Sequence, residues 1–122
     1  MQKKLFTPQE ANKRLPLIKQ IVQDILDKGG RLKALALMEP TPSVAAEQKQ
    51  LAEEIEKLMK ELEGLGCYFK DWNFEVGLVD FPAIVNDQEV LLCWRTDEPI
   101  VRWYHGYDDG YVGRKLIPEN LI

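Results

Sequence analysis

Apolar residues recur at helical spacing along two stretches of this chain, and the periodicity ends at Gly66. The first stripe is Leu15, Ile18, Val22 and Ile25, reaching Leu32, with Ile21 and Leu26 widening it. The second is Leu51, Ile55, Leu58, Leu62 and Leu65, stepping 4-3-4-3 as in a heptad seam. Between them, Pro40 and Pro42 with Thr41 and Ser43 mark a turn. Two long amphipathic helices on a short connection fold as an antiparallel hairpin.

The ends of these helices are written locally. Thr7 is a capping residue, Pro8 suits the first helical position, and Glu10 completes a capping box, with Phe6 placed as a hydrophobic staple. Pro16, which should kink the helix or mark a short first segment, and the weak point at Gly29 and Gly30 interrupt the first helix, which is expected to continue to about Met38. The second is expected over 44–63, stopped by Gly64 and Gly66.

After Gly66 the composition shifts to aromatic and β-branched residues. Strands are expected over 78–85, 89–95 and 100–105, with turns at Asn86-Asp87 and over 96–99, then an irregular Gly-rich loop around Gly106, Gly110 and Gly113. The fold class is therefore α+β within one domain, with a helical hairpin over 1–66 and a three-stranded antiparallel β-meander over 67–122. A two-residue first turn sets Asp80 opposite Cys93. A four-residue second turn sets Cys93 opposite Arg102, and Val90 opposite His105. On that register Phe81, Ala83, Val85, Val90, Leu92, Trp94, Val101, Trp103 and His105 share the core face. Asp80, Pro82, Cys93, Arg95 and Arg102 share the open one, so that Arg95 and His105 lie on opposite sides.

Several function classes are excluded or disfavoured. No apolar run is long enough for a transmembrane helix, and the two lysines near the N-terminus precede no apolar stretch, so a cytoplasmic location is expected. Cys67 and Cys93 are expected as free thiols. With no CxxC, no HExxH and a single histidine, cysteine and histidine alone cannot build a standard zinc site in one chain. Phosphate-cradling glycine loops and the GxSxG elbow are missing. Residues 1–40 are net basic and the remainder net acidic, with a formal charge of −4 overall. The acidic part disfavours nucleic acid as a partner, and the basic segment is expected to lie against it. The second helix would be roughly 30 Å long and the first longer. The meander is too small to cover both seams, so a homodimer is expected.

The run Gly77-Leu78-Val79-Asp80-Phe81-Pro82-Ala83, then Leu92-Cys93-Trp94-Arg95, Glu98, Trp103-Tyr104-His105 and Gly110-Tyr111-Val112-Gly113-Arg114, resembles the bacterial family of domains of unknown function numbered 2203. Phe6-Thr7-Pro8-Gln9-Glu10-Ala11-Asn12 with Leu15-Pro16-Leu17 resembles that family's opening. The resemblance implies a small cytoplasmic bacterial protein with no assigned activity.

The candidate ligand-binding residues are Asp80, Arg95, His105, Asp108 and Arg114. Asp80 and Arg95 read as a cross-strand ion pair or, with Arg102, as an anion site built on a planar guanidinium. Glu98 either orients Arg95 or caps its turn. His105, near Arg114 in sequence, reads as a strand-end imidazole bonded to backbone or to Asp108 or Asp109, or as a general base. No cofactor is predicted; a divalent ion on His105, Asp108 and Asp109 is the alternative. Cys93 reads as packing or, with Arg95 and Arg102 nearby, as a catalytic thiolate, and Trp72, Trp94 and Trp103 as core or interface aromatics or a stacking platform for bases. Three functions are then open. The first is a homo-oligomeric module binding a small anionic ligand or a protein partner. The second is a small hydrolase or isomerase using His105 with Asp108 and an arginine clamp. The third is a coiled-coil scaffold in cell division or envelope organisation.

Overall fold

The computed structural model describes residues 4–71 and 73–122. Trp72, expected as a core or interface aromatic, lies outside them. Helix α1 spans Pro8–Ala36. Its capping box is complete, with Glu10 N donating to Thr7 Oγ1 at 3.2 Å and Thr7 N donating to Glu10 Oε1 at 2.9 Å. The helix runs through Pro16 and both glycines and ends two residues short of Met38. Helix α2 spans Pro42–Gly64, capped by Thr41. The helices are tied by Lys28 to Glu54 and by Arg31 to Glu47, both at 2.8 Å.

Among the described residues the sheet has five strands rather than three, all antiparallel and in sequential order: β1 Tyr68–Phe69, β2 Leu78–Val85, β3 Gln88–Arg95, β4 Trp103–His105 and β5 Lys115–Leu116. The two additional strands are two residues each, too short to show a two-residue period in the sequence. The β2–β3 hairpin has the expected register, Asp80 opposite Cys93, and turns through Asn86 and Asp87 at φ of 52° and 63°. Those left-handed values match the strand twist, and Asn and Asp adopt them most readily after glycine. Alongside β2, Phe6 N donates to Pro82 O and Ile84 N donates to Phe6 O. Pro82, without an N–H, thus sits where none is required.

The inner face of β2 and β3, with Val79, Phe81, Ala83, Val90, Leu92 and Trp94, packs on the α1 stripe Leu15, Ile18, Val22 and Ile25. Gly29 is buried because the Phe74 ring occupies the space a β-carbon would need. The α2 seam is only half covered: Ile55 and Leu62 are buried, while Leu51, Leu58 and Leu65 are partly exposed.

The second turn departs from the expected register by one residue. Cys93 pairs with Trp103, Leu92 with Tyr104 and Leu91 with His105. The cause lies 89 residues away in sequence, on α1. Asn12 Oδ1 accepts from Val101 N at 2.7 Å, and Asn12 Nδ2 donates to Val101 O at 3.1 Å. Val101 therefore satisfies its backbone on the helix instead of on β3, and the strand begins only at Trp103. The one-residue shift turns the whole of β4 over. Trp103 and His105 lie on the outer face with Asp80, Cys93 and Arg95, and Tyr104 faces the core. The expectation that Arg95 and His105 lie on opposite sides of the sheet is corrected accordingly.

Candidate functional site

Three adjacent strands each present one chemistry-bearing side chain to the same spot on the outer face. β2 supplies Asp80, β3 supplies Cys93, and β4 supplies His105. A carboxylate oxygen, the thiol sulfur and an imidazole nitrogen all lie within 4.8 Å of one another. All three residues are buried, at 6%, 2% and 5% exposure. Above them is an open cavity of about 250 Å³, lined also by Lys70, Leu78, Leu91, Tyr107, Gly110 and Tyr111.

The hydrogen-bond role of the imidazole Nδ1 follows from its neighbour. His105 Nδ1 lies 2.8 Å from Gly106 O. A carbonyl only accepts, so Nδ1 carries the hydrogen and Nε2 faces Asp80 and Cys93. Nε2 stands 3.6 Å from Asp80 Oδ1, beyond hydrogen-bond length. The other carboxylate oxygen is 3.8 Å from Lys70 Nζ, whose side chain is half exposed. Burial pushes the Asp80 carboxyl above its ordinary value, with His105 and Lys70 pulling it back. Burial likewise pushes the Cys93 thiol up to about 11, against the pull of Arg114.

The other candidate residues are placed differently. Arg95 is on the same face but in a neighbouring hollow lined by Asp71, Glu75, Val76, Leu78 and Tyr111. Its guanidinium meets Asp97 at 3.0 Å and donates to Tyr111 Oη at 2.9 Å. The expected Asp80–Arg95 pair is thus replaced by Asp80 with Lys70 and His105, and Arg95 with Asp97. Arg102 pairs with Glu119 at 3.1 Å. Asp109 accepts from Gly106 N, closing the turn after β4, and Asp108 is exposed. The carboxylate beside the imidazole is Asp80.

Arg114 closes the loop over the sheet. Its Nη2 donates to both oxygens of Glu98 at 2.8 Å and to Cys93 O at 3.2 Å. Its guanidinium lies 4.7 Å from the ring centres of both Trp103 and Tyr111. Glu98 also accepts from Arg95 N at 2.8 Å, so it caps the turn rather than orienting the Arg95 side chain. The Gly-rich segment is accordingly held: Tyr111–Gly113 forms a 3₁₀ turn, and β5 follows directly. Lys70, Tyr107 and Tyr111 also line this cavity and were not singled out from sequence, and Cys93 was read as packing or as a thiolate beside Arg95 and Arg102 rather than as a neighbour of His105. Cys93 opposite Asp80 was the available signal, but the displaced β4 register took His105 away from it.

Among the described residues no helix is long and apolar enough to cross a membrane. Comparison with curated proteins and with solved structures returns no match. A family model does match, over residues 4–117, from ahead of the capping box to past β5. The chain therefore belongs to DUF2203, a family of uncharacterised conserved proteins.

Proposed function

We propose that this protein is a ligand-binding module whose site is the outer-face cavity floored by Asp80, Cys93 and His105. One observation carries the reading: three buried, chemically distinct side chains converge beneath an opening instead of being sealed in the core. The cavity size favours a small guest. About 250 Å³ lies below the roughly 300–1,000 Å³ of pockets that hold drug-sized molecules. Lys70 at the rim suits an anionic group on such a ligand. Binding is favoured over thiol catalysis because burial keeps Cys93 protonated, whereas a nucleophilic cysteine needs a lowered value. The arginine clamp of a hydrolase or isomerase has no free Arg114 to draw on, since Glu98 holds it. Two buried free thiols fit a reducing, cytoplasmic setting.

The chain has a single histidine, so its imidazole resonances identify themselves. The test is to follow them while the full chain is titrated separately with acetate, inorganic phosphate and zinc chloride. At least one probe should shift His105 saturably. If none does at millimolar concentration, the reading is wrong.

We also propose that the module is a homodimer built on α2. A groove of about 460 Å³ is lined by Leu32, Ile55, Met59 and Phe74, with Glu56, Lys60 and Glu63 at its edge. A two-fold interface sets one patch against itself, and this groove adjoins the half-covered α2 seam, where Leu51, Leu58 and Leu65 are partly exposed.

A further inference from the structure

The geometry points to a divalent transition metal of the zinc class as the ligand of this cavity, held by Asp80 Oδ, Cys93 Sγ and His105 Nε2. The inference deepens the binding reading and rests on it.

The separations carry the argument. At 3.6 Å, Nε2 and Asp80 Oδ1 are too far apart for a hydrogen bond, and both side chains are buried. Ligands around a tetrahedral zinc, at bonds of about 2.0–2.3 Å, sit roughly 3.3–3.8 Å from one another. The imidazole–carboxylate distance is already in that range, and the three donor atoms lie within 4.8 Å of one another. A contraction of about 1–1.5 Å at the longest separation would bring them to those spacings.

The imidazole is prepared for the role. Metal-bound histidines usually donate their other ring nitrogen to a carboxylate, a water or a backbone carbonyl, which fixes ring and tautomer. His105 Nδ1 donates to Gly106 O at 2.8 Å, and the loop that carries Gly106 is closed by Asp109 accepting from Gly106 N. Nε2 is left facing Asp80 and Cys93.

The donor set selects the ion. Oxygen, sulfur and nitrogen on rigid strands suit zinc or cobalt, whereas magnesium and calcium take oxygen ligands. When the Cys93 sulfur bonds the ion, its S–H proton leaves to solvent. Thiolate and carboxylate then balance the double positive charge. Three protein ligands leave a fourth position for water, facing the cavity beneath Lys70, Tyr107 and Tyr111.

The experiment is cobalt titration of the full chain, read by absorption. One equivalent should give a near-ultraviolet thiolate-to-cobalt charge-transfer band and the visible bands of a tetrahedral ion. Cys93→Ser should abolish the first band, while Cys67→Ser, altered at the buried thiol that donates to Leu62 O, should keep it. Asp80→Asn and His105→Ala should each weaken affinity by at least roughly tenfold, a loss that second-shell changes alone can reach. A companion measurement on the unaltered chain covers variants that fail to fold: zinc should move His105 Nε2 while Nδ1 stays protonated. A missing charge-transfer band in the unaltered chain, a band surviving Cys93→Ser, or an Nε2 indifferent to zinc would overturn the metal site. If acetate or phosphate moves His105 while zinc and cobalt do not, the metal is wrong and the binding module stands. If no probe acts, both fall.

Discussion

Asn12, on the first helix, takes both backbone hydrogen bonds of Val101, as acceptor at 2.7 Å and donor at 3.1 Å. By drawing Val101 off the sheet, this side chain sets where β4 starts and therefore which face His105 occupies. The candidate site on one side of the sheet thus depends on a polar contact with the helix packed against the other.

Replacing Asn12 with Leu keeps the side-chain size but leaves the N–H and C=O of Val101 unpaired in a fully buried residue. Unpaired buried groups cost about 1–3 kcal/mol. Urea unfolding of Asn12→Leu should show a loss of that order. Hydrogen exchange should quicken at Val101 and along β4 before it does in β2 and β3. Unchanged protection at Val101 would show that Asn12 does not hold it.

The glycine pair in α1 should respond with opposite signs. Gly30 has open space where a β-carbon would stand, so Gly30→Ala should stabilise by roughly 0.5–1 kcal/mol through helix propensity. At Gly29 the same change drives a methyl into the Phe74 ring. Overpacking of about 1–3 kcal/mol then outweighs the propensity gain, and Gly29→Ala should melt lower than the parent. In a Phe74→Ala background the same Gly29→Ala change should cost less, which thermal melts of the two single variants and the double would reveal.

Glu98 and Arg114 are 18% and 10% exposed, so each depends on the other for its charge. Arg114→Met leaves a half-buried carboxylate without its partner and should cost on the order of 2–3 kcal/mol. Adding Glu98→Gln should return a good part of it. A double-mutant cycle from chemical denaturation measures the coupling, and additive losses would mean the pair is energetically idle.

The helix hairpin should weaken in acid. Hydrogen bonds from Arg31 and Lys28 hold Glu47 and Glu54 below the ordinary glutamate value of 4.5. Groups lowered in the folded state lend stability that is complete above the unfolded value and lost as pH falls from there through the folded one. The melting temperature of the parent should therefore drop more steeply below about 4.5 than that of Glu47→Gln/Glu54→Gln, and the two curves should converge at low pH. Asp80, raised by burial, titrates with the opposite sign in both proteins and cancels in the difference. Salt should flatten the effect, since both bridges are exposed to solvent.

The α2 groove makes a prediction about mass. Sedimentation at tens of micromolar should give a dimer, and Met59→Glu, which sets a charge in the groove of both copies, should give a monomer. A parent chain that sediments as a monomer removes the dimer without touching the site on the sheet.

What the sequence alone determined was set within a few residues of where it is read. Thr7 with Glu10 starts α1, Thr41 starts α2, the apolar stripes choose the buried helix faces, and Asn86-Asp87 closes a two-residue hairpin with Asp80 facing Cys93. Capping, helical period and left-handed turn preference act over one to four residues, so local order suffices to see them. Only the tertiary structure decided β1 and β5, the space that Phe74 claims at Gly29, and the meeting of His105 with Asp80 and Cys93. A strand two residues long has no period to read. A turn whose register is set by a side chain 89 positions away has no local signature either. Because strand side chains alternate, that one distant amide was enough to move the imidazole from the core to the cavity.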